Sequence, residues 1–104
     1  MIVQINTDKN ISGTEEFRTP VIALISDELN RFSNQITRVE VHLSDENANK
    51  GGINDKKCVL EARLEGMKPV AVTNKADTVE LAIDGAIDKL KNSLTTILGR
   101  LKSY

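Results

Sequence analysis

Between residues 79 and 101 the apolar side chains Val79, Ile83, Ala86, Ile87, Leu90, Leu94, Ile97, Leu98 and Leu101 recur at steps of three and four. That spacing puts them on one stripe of an α-helix roughly six turns long. A one-sided helix of this length needs an apolar surface to lie on. The rest of the chain has to supply it, and two segments have the right pattern. In Ile36–Ser44, Val39, Val41 and Leu43 point one way while Arg38, Glu40, His42 and Ser44 point the other. In Lys57–Glu65, Cys58, Leu60, Ala62 and Leu64 share one side. Strict alternation of this kind marks strands with one buried face.

The remaining elements fall around these. Ile2–Asn6 predicts a first strand with Val3 and Ile5 on one side. Ser12 and Glu15 have capping-box spacing. A helix is predicted from there to about Ser33, with Phe17, Val21, Leu24, Ile25, Leu29 and Phe32 on its apolar face. Pro20 interrupts that pattern: either the helix kinks there, or Thr19 is the N-cap and Pro20 the first helical residue. Asp45–Asp55 is a long polar loop, Gly66–Lys68 a short turn, and Pro69–Asn74 a fourth strand. Asp77 or Thr78 caps the last helix. The order is β-α-β-β-β-α, an α+β domain with a four-stranded sheet and two helices on one face. Its last three strands should pair antiparallel.

The 104 residues are enough for one domain, 1–104, with a core that needs no metal or cross-link. The lone Cys58 cannot form an internal disulfide, which fits a reducing cytoplasm. The start holds no apolar run of signal-peptide length, and no segment approaches a membrane span. One histidine and one cysteine are too few for a Cys/His zinc site. No phosphate-binding glycine motif or catalytic constellation is present, so neither a cofactor, an enzymatic activity nor a small-molecule substrate is expected. Asp45-x-Asn47-x-Asn49 begins like a calcium loop, but Lys50 and Lys56 stand where that loop needs glycine and a bidentate glutamate.

Net charge is −1, unusual for a nucleic-acid binder, but the charge is unevenly spread. Residues 1–55 hold five basic and nine acidic side chains; residues 56–104 hold nine and six. One flank of the last helix carries Lys89, Ser93, Thr96 and Arg100, with Asn92 beside them and no acid among them. Cations and short donors in a row suit a phosphate backbone. The same layout, acids early and bases late, also complements the helix dipole and is equally that of a solvated face. Gly85 and Gly99 fall on the outer surface of this helix, where glycine costs about 1 kcal/mol relative to alanine. They are open to two readings: close approach of a partner, or tolerated defects.

Ala82-Ile83-Asp84-Gly85-Ala86-Ile87-Asp88-Lys89-Leu90 is very similar to the signature of the ribosome hibernation-promoting factor and ribosome-associated inhibitor family. The strand Arg38–Leu43, the element order and the helix lengths resemble it too. The stretch Leu43–Asn47, with Lys56-Lys57-Cys58 and Glu61-Ala62-Arg63, resembles a divergent short subgroup. The resemblance implies a fold like the double-stranded-RNA-binding domain. It also implies binding to the small ribosomal subunit, on rRNA near the decoding region, which silences or protects idle ribosomes. A chain ending soon after the second helix is expected to lack the dimerisation domain of the long forms. Lys89 and Arg100 match the family's row of cations, whereas Asn92 and Thr96 stand where lysine or arginine is typical. Ser44 and Glu28 stand where lysine is frequent, and Glu80 replaces a common tyrosine. The expected RNA-binding set is Lys89, Arg100, Ser93, Thr96 and Asn92, extended by Lys56, Lys57, Arg63, Lys68 and Lys75. The competing expectation is a protein-interaction module on the same fold that binds no RNA.

Overall fold

The computed structural model describes residues 1–46 and 55–101, with side chains through residue 99. Its elements are β1 (Ile2–Thr7), α1 (Glu15–Glu28), a 3-10 turn (Asn30–Phe32), β2 (Ile36–Asp45), β3 (Lys56–Leu64), β4 (Val70–Ala76) and α2 (Val79–Leu101). They build one α+β unit whose single sheet has the order β1-β2-β3-β4. β1 and β2 are parallel and therefore need a crossover, which α1 provides. β2, β3 and β4 follow one another antiparallel.

Register explains why only one face is buried. The rows Ile5–Val41–Leu60–Val72 and Val3–Val39–Ala62–Val70 run across all four strands on the inner side. The neighbouring rows Gln4–Glu40–Glu61–Ala71 and Asn6–His42–Val59–Thr73 lie on the open side. α1 covers the β1 side of the inner face and α2 covers β3 and β4. Between them Ile25, Leu29, Val39, Val41, Leu60, Ile87, Leu90 and Leu94 are almost wholly shielded from water. Leu43, Leu64 and Ile83 are buried as well, as the alternation requires. The β2–β3 register slips by one residue between Ile36 and Arg38. This bulge lets Ile36 and Val39, an odd number of residues apart, both face the core.

The start and the end of α1 differ from the sequence expectation. α1 is capped by Thr14, whose hydroxyl accepts from the Phe17 N–H at 3.3 Å, and not by Ser12 or Thr19. Pro20 lies inside the helix and has no N–H for the Glu16 carbonyl. α1 stops at Glu28 rather than near Ser33, because Leu29 leaves helical geometry and the chain tightens into the 3-10 turn that buries Phe32. Leu24, assigned to the apolar face, is 39% exposed. At α2 the cap is Thr78, which accepts from the Leu81 N–H at 3.1 Å. Among the described residues no helix is long and apolar enough to cross a membrane. Most of the Asp45–Asp55 loop, residues 47–54, lies outside the described residues.

The two helical glycines have different surroundings. Gly85 is half-buried and faces β4 rather than a partner molecule. Asn74 sits in the inner row beside Cys58 and donates from its amide to the Leu81 and Ala82 carbonyls, at 3.3 and 3.2 Å. A Cβ on Gly85 would collide with the Asn74 amide, so the glycine makes room for this strand-to-helix clip. Gly99 has open space where its Cβ would be. Gly99→Ala is therefore expected to stabilise by up to about 1 kcal/mol, the helix-propensity gain. Gly85→Ala is expected to destabilise by about 1 kcal/mol or more, because displacing Asn74 breaks two hydrogen bonds that outweigh that gain. Urea unfolding of both variants checks the pair; equal stabilisation would remove the clip.

Candidate nucleic-acid interface

α1 and α2 run side by side in the same direction. Arg31 donates to the Thr95 hydroxyl at 2.6 Å while stacking on Phe32, and Lys91 lies 3.6 Å from Glu28. These contacts turn the Lys91–Thr95 flank of α2 toward α1. They also match the acid at Glu28 with a cation. The opposite flank, with Lys89, Asn92, Ser93 and Thr96, looks outward beyond β4. Asn92, Ser93, Thr96 and Ile97 line a shallow depression there. The Thr96 hydroxyl donates to the Asn92 carbonyl at 3.1 Å. Lys89 reaches across to the Thr73 carbonyl at 2.8 Å, covering part of the β4 edge with charge. Its ammonium keeps two further donors. Arg100 lies on the last turn of α2, and its side chain is outside the described residues.

The second group of predicted cations sits elsewhere. Lys57 and Lys75 are cross-strand partners on the open face, and both lie near Glu46, at 3.6 and 3.3 Å. Arg63, also on the open face, lies 3.1 Å from Glu40 and 3.4 Å from Glu61. Those two glutamates oppose each other across β2 and β3, a repulsive pairing that Arg63 bridges. Arg38 adds a second cation 3.6 Å from Glu40, and the sequence set had not included it. Its place in the Arg38-x-Glu40 alternation was the signal available. Lys68 is exposed in the β3–β4 turn. The fold thus separates the candidates into an α2 flank and an open sheet face, with the β4 edge as the ridge between them.

Lys56 belongs to neither surface. Its ammonium is 2.8 Å from Asp55 and 3.4 Å from Asp45, and the hydrogen bond it donates to Asp55 is the main cause of its raised pKa. The same corner is fastened by Asp8, whose carboxylate accepts from the Asp45 and Asn10 N–H groups. Among the described residues no group of histidine, cysteine, aspartate or glutamate side chains is placed to hold a metal. Cys58 is fully buried beneath α2, and loss of hydration pushes its thiol up to about 12.

A one-sided sheet, two covering helices and a cation-bearing helix flank define a small binding domain built around surfaces. Residues 4–102 match the family described as Sigma 54 modulation protein / S30EA ribosomal protein, and the chain belongs to that family. Its members are ribosome-associated factors and not enzymes. In structure the chain is similar to the Protein Y N-terminal domain of Thermus thermophilus, with a TM-score of 0.73 at 21% identity, covering 93% of this chain and 99% of that one. It is also similar to a ribosomal subunit interface protein from Coxiella burnetii, with a TM-score of 0.68 at 17% identity, covering 95% and 99%. No curated protein sequence matches the chain significantly.

The buried thiol gives this region a pH signature. The folded Cys58 ionises near 12, against 9.0 for an ordinary thiol. A raised folded pKa means that the unfolded chain loses its proton first, so stability holds below about pH 9 and declines as pH rises toward 12. The raised pKa of Lys56 acts in the same direction, above 10.5. A urea midpoint that falls from pH 9 upward is expected, with a smaller fall in Cys58→Ala. At pH 8 a thiol reagent should modify Cys58 only as fast as the protein opens.

Proposed function

We propose that this chain is a cytoplasmic ribosome-associated factor that binds the small subunit, on rRNA near the decoding region, and silences or protects idle ribosomes as a single domain. The observation that carries the reading is family membership over residues 4–102, joined to the acid-free flank of α2. Lys89 and Arg100 would neutralise phosphates, with Asn92, Ser93 and Thr96 as short donors. The two cations are about 16 Å apart along the helix at 1.5 Å per residue, a span that suits two phosphates. Of the second group, Lys57, Lys75 and Arg63 are partly matched by Glu46, Glu40 and Glu61. Lys68 is an exposed turn cation, and Lys56 is engaged internally. The α2 flank therefore comes first and the open face second.

Exchanging Lys89 and Arg100 together for glutamate should abolish co-sedimentation with ribosomes while the circular dichroism of the folded domain persists. Wild-type binding should weaken only gradually with salt, because each neutralised phosphate adds roughly 0.9 or less to the logarithmic slope. Asn92→Lys with Thr96→Arg should tighten binding and steepen that slope by about one to two units. If the glutamate variant sediments like wild type, the α2 flank is not the RNA surface and a protein-interaction module on this fold becomes the better reading.

A further inference from the structure

The helix pair is bridged at one end and open at the other. Glu28–Lys91 and Arg31–Thr95 join the end of α1 and the 3-10 turn after it to the C-terminal half of α2. Between the N-terminal halves lies a groove of about 410 Å³ with a mostly apolar surface. Phe17, Pro20, Leu24 and Ile83 form its floor, and the exposed Leu24 is part of that floor. Glu16, Glu80 and Asp84 stand around it, and no basic side chain lines it. Among the described residues none of these three acids is in an ion pair, whereas Glu28, Glu40, Glu46 and Glu61 all are. Glu16 and Glu80 lie in first helical turns and offset the helix dipoles, which leaves Asp84 as added negative charge.

We infer that this groove docks a lysine- or arginine-rich polypeptide segment through one or two leucine- or phenylalanine-sized anchors. The anchors rest on the floor between the helices and the cations meet the rim. A bare phosphate chain is excluded from this position because the rim repels it. A second copy in a two-fold contact would bring one acidic rim against another, the wrong charge complement for self-association. The groove and the cationic flank lie on opposite flanks of α2, so a basic segment and a nucleic acid can be held at once without competing. The inference does not depend on ribosome binding.

The test is an amide-resolved NMR titration of the full chain with a synthetic peptide of about 12 residues, lysines with two leucines four apart. Expected are shifts concentrated at Phe17, Leu24, Ile83 and Asp84 and saturation in the micromolar range. Replacing both leucines by serine with all lysines kept should weaken binding about tenfold or more, as should Glu80→Lys with Asp84→Lys in the protein. Glu65→Lys, a charge change in the exposed β3–β4 turn, should leave binding unchanged. The inference is overturned if the serine peptide binds as well as the leucine peptide, if the shifts map elsewhere, or if the charge reversal has no effect. It is equally overturned if the free chain sediments as a dimer that Leu24→Ser dissociates, which would assign the groove to a second copy. Because the probe contains no ribosome, failure here leaves the ribosome reading standing.

Discussion

Val39, Val41, Leu60 and Ala62 occupy the two central strands at the crossing of the inner rows, and each is completely shielded from water. Everything else in the fold answers to the need to cover that face. β1 extends it by one parallel strand, α1 closes the β1 side, and α2 closes β3 and β4. Burying a leucine or isoleucine side chain contributes roughly 1.5–3 kcal/mol, so the shared contacts of Ile25, Leu29, Ile87, Leu90 and Leu94 outweigh any single surface interaction. With both helices committed to one face, the open sheet face, the outer flanks of the helices and the groove between them are what remains for partners.

The charges are arranged around this layout in local compensation. Glu40 and Glu61 are forced opposite each other by register and are reconciled by Arg63. Lys57 and Lys75 are likewise opposed, with Glu46 close to both. Lys56 fastens the strand ends through Asp45 and Asp55. Surface pairs such as Lys57–Glu46 and Lys75–Glu46 are individually weak and contribute about 0–1 kcal/mol, so their main effect is to cancel like-charge repulsion within the sheet. They also lower the positive potential that the open face presents. On α2, Glu80 and Asp84 toward α1 and Lys89 on the flank beyond β4 stand outside these pairs.

Family membership and geometry bear on different questions. Membership fixes the class of partner more firmly than any side chain does, because the structural neighbours are too distant in sequence to transfer contacts residue by residue. Geometry decides which surfaces are still available. Asn92 and Thr96 leave the α2 flank with short donors where further cations would strengthen attraction to phosphate. On the reading proposed above, this flank would contribute more to positioning than to capture at long range.

The sequence by itself determined the elements, their order and the buried face, since a period of two or of three to four is a local property of the chain. Val39, Val41 and Leu43, or Ile83, Ile87 and Leu90, could be assigned to the core without coordinates because neighbours at fixed spacing share a side. The acid-free flank of α2 was legible for the same reason. Tertiary structure alone decided what depends on residues far apart in sequence. Pairing Leu43 with Cys58 and Cys58 with Asn74 put an asparagine under the first turns of α2 and gave Gly85 its purpose. Bringing Lys56 beside Asp45 and Asp55 removed it from the free cations. Setting the N-terminal half of α1 alongside α2 collected Glu16, Leu24, Ile83 and Asp84 into one groove. No periodicity encodes such meetings: they arise only when sheet register and helix packing fix the distance between segments whose local patterns are independent of each other.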